Sequence, residues 1–191
     1  MARVSNPSNQ NQPDTAPKLL KYLIENKHWS PFEMVNVCME IETTRDIARQ
    51  ILRHRSFSFQ EFSQRYAKVT DFVTSDVRLQ DVKNRQNSLE ADDPALELWW
   101  EHSQNALLDH VETIYKGALD RGVAREISRK ILPEGLTMSC MYMNGTLRSW
   151  LHYIDIRCDK ATQKEHRIVA EQCRDIIFKE FPSIKEVFNG T

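Results

Sequence analysis

Between residues 35 and 42, Val35, Val37, Met39 and Ile41 alternate with Asn36, Cys38, Glu40 and Glu42. An apolar side chain at every second position is the signature of a strand with one buried face, because successive side chains point to opposite sides of a pleated backbone. Thr43 or Thr44 is then placed to cap a helix over 45–54, whose core stripe is Ile47, Ala48, Ile51 and Leu52. A helix over 17–27 precedes the strand, with Leu19, Leu20, Leu23 and Ile24 on one face, and residues 1–15 read as loop. Residues 67–92 are polar and weakly patterned, an expected excursion over the surface. A long helix follows, opened by acidic residues and a proline and closed at Gly122. A short helix at 124–131, a turn and strand over 133–145, a helix capped by Asn144 or Thr146 and running to about 155, and a last helix over 160–181 complete the chain. The last is expected to turn Ile168, Val169, Cys173, Ile176 and Ile177 inward. The order of elements mixes α and β without repeats or linkers.

A length of 191 residues fits one domain. With 26 basic against 27 acidic residues the net charge is -1, so a polyanion must be met by a local cluster of charge. No apolar run is long enough to span a membrane, and the first residues carry no signal-peptide pattern, so a cytoplasmic protein with no membrane partner is expected. Cys38, Cys140, Cys158 and Cys173 show no CxxC spacing and the histidines no HExxH, which predicts reduced, mostly buried thiols and no metal. Neither a Rossmann turn nor a P-loop is present. His28, beside Trp29, reads as packed, and Trp99 and Trp100 as core or interface.

The local cluster lies at 53–66, "RHRSFSFQEFSQRY", with three arginines, three phenylalanines and one carboxylate, Glu61. On the helix before it, Arg45, Arg49 and Arg53 stand at i, i+4, i+8 and would form one cationic row. Arginine's planar fork binds phosphate oxygens in pairs and stacks on flat rings, which lysine does less well. Beyond the helix, Ser56, Ser58, Gln60, Ser63 and Gln64 supply polar groups, while Phe57, Phe59 and Phe62 would be the buried half of an extended segment. Composition alone fits a solvated helix face followed by a half-buried strand, and also a single-stranded nucleic-acid binding module.

Spacing decides between them. Arg53, His54 and Arg55, then seven residues, then Ser63, form a motif that resembles the signature of flavin-dependent thymidylate synthases. "RQILRHRSFSFQEFSQRYA" and "HWSPFE", and downstream "REISRKILP", "NGTLRSWLHYIDIRCD" and "TQKEH", are similar to that family's blocks in their expected order. The resemblance implies an α+β single domain over 1–191, with a mixed or antiparallel sheet packed by helices, assembling as a homotetramer that shares active sites between subunits. It also implies a chain short of the family's usual N-terminal strand and helix, for which an inactive relative that still binds FAD and dUMP is the alternative.

The function implied is reductive methylation of dUMP to dTMP. Methylenetetrahydrofolate is the carbon donor and NADPH-reduced FAD the hydride source, with no cysteine nucleophile and no nucleic acid as partner. By resemblance, dUMP falls to Gln50, Arg53, Glu61, Ser63, Gln64, Arg65, Arg129 and Arg157. FAD falls to Ser30, Arg53, His54, Arg55, Glu61, Thr146, Leu147, Arg148 and His152. Arg157 is implied as the catalytic residue, favouring ionisation at N3 of uracil. Arg148 and Arg157 lie about half a turn out of phase on an ideal helix and should serve different ligands or different copies of the site. Ser30 with Pro31 and Glu33 reads equally as a helix-start turn. Thr146 and Leu147 stand where many relatives carry Asn and Ala, His152 replaces an Asn, and Ala161 replaces a histidine.

Overall fold

A computed structural model of the chain describes residues 2–4 and 6–188. Its elements follow in the order α1 (Ala16–Glu25), β1 (Asn36–Thr44), α2 (Arg45–Ile51), β2 (Phe57–Glu61), β3 (Arg78–Gln80), β4 (Ser88–Glu90), α3 (Pro94–Asp120), α4 (Arg125–Ser128), β5 (Met138–Thr146), α5 (Leu147–Arg157), α6 (Lys164–Glu180) and α7 (Pro182–Lys185). The fold is α+β. One sheet has the strand order β1-β5-β2, and β3 and β4 form a separate antiparallel pair. Leu147 N–H donates to Val35 O at one end of β1, and Arg45 N–H donates to Thr137 O at the other, so β1 and β5 run antiparallel. No helix among the described residues is long and apolar enough to cross a membrane.

Two compact units divide the chain: Met1–Met39, His54–Phe59 and Tyr142–Thr191 form the first, and Glu40–Arg53 and Gln60–Met141 the second. The first is built around Trp150, which is fully buried with its Nε1 donating to Val37 O at 3.0 Å, so the largest core side chain leaves no polar atom unsatisfied. Phe57 packs against it with ring centroids 4.9 Å apart. Gly145 is required on β5 because a Cβ there would fall 2.6 Å from Phe57 Cε1. The second unit buries Ile47, Ala48 and Ile51 of α2 completely, with Val111 and Tyr115 of α3; Tyr115 Oη accepts from Val69 N–H at 3.3 Å.

The alternation read at 35–42 is the strand β1, with Met39, Ile41 and Thr43 buried and Asn36, Cys38, Glu40 and Glu42 exposed. The long helix is α3: Asp93 Oδ1 accepts from Ala95 and Leu96 N–H at 3.0 and 3.2 Å, and Gly122 follows its end with φ at 78°. Several expectations are corrected. Residues 1–15 contain two short 3₁₀ turns, Pro7–Asn9 and Pro13–Thr15; Met1 and Ser5 lie outside the described residues. Helix α2 stops at Ile51, so Arg53 falls beyond it and the expected row of three arginines does not form. The polar excursion carries the β3–β4 hairpin, with Leu79 and Leu89 opposite each other but exposed. Thr146, not Asn144, caps α5, which continues to Arg157. On α6 the buried stripe is His166, Val169, Ala170, Cys173 and Ile177, while Ile168 and Ile176 face out. Only Cys158 and Cys173 are buried; Cys38 is exposed. Trp99 is 59% exposed on this chain and is therefore not core.

Candidate active site

In the first unit the signature begins with a tight turn. Phe57 N–H donates back to His54 O at 3.3 Å, which presents Arg55 and Ser56 to solvent at its tip. Ser149 Oγ of α5 donates to Ser56 O at 3.2 Å, so the first turn of α5 holds this tip in place. Thr146 Oγ1 accepts from Ser149 N–H at 3.2 Å and so fixes where that helix starts. Leu147 is 4% exposed with its N–H given to Val35 O; it anchors the start of α5 and offers a ligand no donor. Arg148 pairs with Glu33 of the 3₁₀ turn Ser30–Met34, which "HWSPFE" encodes, and the Trp29 ring lies 4.6 Å from that of His152. Ser30 is the first residue of this turn, which Trp29 precedes as N-cap without a side-chain cap hydrogen bond, and the turn lies alongside α5.

At the far end of α5, Arg157 Nε donates to His54 Nε2 at 2.9 Å. Because a guanidinium only donates, that nitrogen carries a lone pair and the imidazole proton sits on Nδ1. Arg148 and Arg157 thus have different side-chain partners, Glu33 and His54. His54, Arg55, Arg148, His152 and Trp29 together offer cationic forks and flat rings. That donor set fits a dinucleotide with a pyrophosphate and a planar heterocycle.

The second unit holds most of the residues matched to the nucleotide. Glu61, at the end of β2, accepts from Arg45 at 3.3 Å and from Ser139 Oγ at 3.0 Å, with only 22% of its side chain exposed. These contacts fix its carboxylate in one orientation. After β2 the chain turns through Ser63, whose carbonyl accepts from Tyr66 and Ala67 N–H. Arg65 reaches Glu126 of α4 at 3.7 Å, and Arg129 caps that same short helix. Between Ser63 and Arg65, Gln64 is 4% exposed, and among the described residues its Nε2 has no hydrogen-bond partner. A buried amide donor left without a partner costs about 1–3 kcal/mol, which an acceptor bound at this loop would recover. Arg53 N–H donates to Gln50 O at 3.4 Å, which keeps those two residues adjacent at the end of α2.

None of the buried thiols is primed as a nucleophile. Burial raises the Cys158 thiol above its ordinary value although the Arg174 charge pulls it down, and burial, with Glu40 and Glu42, raises Cys140. Burial pushes Cys173 up to about 12. The residues that sequence alone did not assign to the site are Arg45 and Ser139 at Glu61, Glu33 at Arg148, and Tyr153 and His166 near His54. Glu33, Tyr153 and His166 lie inside the motif blocks, but nothing local in the sequence names their partners.

The family model described as Thymidylate synthase complementing protein matches residues 1–183. The chain belongs to this family, the flavin-dependent thymidylate synthases. It is 50% identical over 183 residues to the flavin-dependent thymidylate synthase of Synechocystis sp., covering 96% of this chain and 84% of that one. It is 48% identical over 189 residues to the probable flavin-dependent thymidylate synthase of Paramecium bursaria Chlorella virus 1, covering 98% and 87%. Among solved structures it is similar to the UMP/dUMP methylase PolB from Streptomyces cacaoi bound with 5-Br dUMP, with a TM-score of 0.85 and 26% identity over 97% of this chain and 85% of that one. As a flavin-dependent thymidylate synthase family member, the protein is an enzyme of the methyltransferase class.

Proposed function

We propose that this enzyme converts dUMP to dTMP in the cytoplasm by reductive methylation, with methylenetetrahydrofolate as carbon donor and NADPH as reductant, as part of thymidylate biosynthesis. FAD, when bound, supplies the hydride. The chain is read as one family domain that assembles as a homotetramer with active sites shared between subunits. Leu98, Trp99, Leu107 and Ile114, all about half exposed along α3, support an interface there.

Ser30, Arg53, His54, Arg55, Glu61, Thr146, Arg148 and His152 are assigned to FAD, with Leu147 setting the start of α5 behind them. Arg55 and Arg148 suit the pyrophosphate, since both carry forked donors beside the RHR turn and the α5 start. Gln50, Arg53, Glu61, Ser63, Gln64, Arg65, Arg129 and Arg157 are assigned to dUMP. The observation that supports this assignment is the buried Nε2 of Gln64, unpartnered among the described residues and set between Ser63 and Arg65 in the loop that ends the signature.

Arg157 is the catalytic residue in this reading. Its charge, held by His54 through Nε, stabilises negative charge developing at N3 of uracil and so raises electron density at C5. A fixed charge does this better than water because it needs no reorganisation as the charge forms. Ser63 positions rather than attacks: among the described residues its hydroxyl has no histidine partner, and it accepts from Arg65 N–H at 3.4 Å. The raised thiols fit a reaction without a cysteine adduct.

The test is release of the C5 hydrogen of dUMP by purified protein supplied with FAD, NADPH and methylenetetrahydrofolate. Release coupled to dTMP formation is expected. Bound flavin with no hydrogen release would overturn the proposal.

A further inference from the structure

Two buried polar side chains have no place in the assignments above. His166 on α6 is fully buried, and its Nε2 lies 3.1 Å from the hydroxyl of Tyr153 on α5, itself 1% exposed. Apolar residues would fill this core without the cost of desolvating an imidazole and a phenol, so the pair needs a reason. The geometry supplies one. The Tyr153 ring stands edge-on to the His54 ring, with centroids 5.0 Å apart and planes at 83°. His54 is the residue whose Nε2 accepts from Arg157 Nε at 2.9 Å. The hydrogen bond between His166 Nε2 and the Tyr153 hydroxyl fixes Tyr153 in its plane, Tyr153 fixes the plane of His54, and the His54 lone pair fixes Nε of Arg157. Three segments meet in this chain of contacts: the RHR turn, α5 and α6.

We propose that Tyr153 and His166 are positioning residues that hold the His54 imidazole in the plane and tautomer needed to orient Arg157. With Nε committed to His54, the two Nη groups of the guanidinium remain as the fork offered to the substrate. This inference rests on the reading that Arg157 meets the uracil ring. Tyr153 and His166 touch neither substrate nor cofactor in it. Burial holds the Tyr153 phenol well above its ordinary pKa, so it remains a neutral hydrogen-bonding group throughout the working range.

The test uses the full-length protein labelled with ¹⁵N-histidine, in the wild type and as Tyr153→Phe, His166→Leu and His166→Gln. Wild-type His54 should show an unprotonated Nε2 and a protonated Nδ1. Tyr153→Phe and His166→Leu should shift the His54 signals toward a mixture of tautomers and lower kcat for dTMP formation about tenfold, with KM for dUMP within twofold. His166→Gln, which keeps a hydrogen-bonding group for Tyr153, should restore both to near wild type. Unchanged His54 signals in Tyr153→Phe and His166→Leu overturn the proposal. So does equal loss of kcat in His166→Leu and His166→Gln with wild-type His54 signals, which marks a structural role only. If the wild type forms no dTMP, the assignment of Arg157 falls instead, and the His54 signals still decide the positioning claim on their own.

Discussion

Gly145 offers a sharp test of how the first unit is packed. In Gly145→Ala the new Cβ would fall 2.6 Å from Phe57 Cε1 and 3.3 Å from Cγ, where carbon atoms need about 3.5–4.0 Å. The ring therefore has to move by about 1 Å. It has little room to do so: Phe57 is 9% exposed, its ring sits 4.9 Å from that of Trp150, and Trp150 is fully buried and tied to Val37 O. Inserting one carbon into a tight core costs about 1–3 kcal/mol, and the blocked retreat places this case near 2–3 kcal/mol. For a chain of this size that is a fall in Tm of about 4–12 °C. The assay is thermal and urea unfolding followed by circular dichroism at one fixed FAD concentration, because a bound ligand adds its own stability. Phe57→Leu shortens the clashing ring, so the double variant should recover about 1 kcal/mol or more relative to the sum of the single ones. Flavin retention should also weaken in Gly145→Ala, since Phe57 N–H closes the turn that presents Arg55. A Gly145→Ala protein within about 0.5 kcal/mol of wild type, or strict additivity in the double variant, would refute this packing argument.

Two further outcomes follow from the second unit and from α6. Glu61→Gln removes the charge that faces Arg45 at 3.3 Å in a pair only 11% and 22% exposed, and should cost about 1–2 kcal/mol, between the exposed and buried extremes for ion pairs; a urea midpoint equal to wild type would contradict the pairing. Cys173 has its thiol pushed up to about 12 by burial and, less, by Cys158, against 9.0 for an ordinary thiol. Between those values the unfolded chain releases the proton and the folded chain keeps it. Stability is therefore full below about pH 9 and is lost as pH rises, by about 1.4 kcal/mol per unit from this group. In urea titrations from pH 8 to 10.5 the wild type should fall more steeply than Cys173→Ala by that slope, and parallel curves would contradict it.

Much of the fold was legible because its signals are local. The alternation in β1 follows from side chains pointing to opposite faces, and the limits of α3 from a capping carboxylate, Asp93, and a glycine at positive φ, Gly122. Where two local patterns compete, the sequence misled. On α6, Ile168 and Ile176 compete with Val169, Cys173 and Ile177, and what selects the second set is a buried histidine, His166, which hydropathy does not place inside. The β3–β4 hairpin escaped notice because Leu79 and Leu89 are exposed and give no buried stripe. The motif spacing pointed to the site residues by resemblance, but their geometry is long-range. Arg148 with Glu33 and Arg157 with His54 are more than a hundred positions apart, so no window of sequence contains either pair. Gln64 could be placed in the loop by the motif, yet only packing shows its Nε2 buried and unpartnered among the described residues.

The account turns on Arg157 acting on the substrate rather than holding the cofactor. The most direct measurement is the rate of C5 hydrogen release from dUMP by wild type and Arg157→Ala, with flavin content determined on the same samples. A loss of 100-fold or more in rate at equal flavin content is predicted, as for an interaction made only in the transition state. Release by Arg157→Ala at the wild-type rate, or a loss that merely tracks lost flavin, would contradict it.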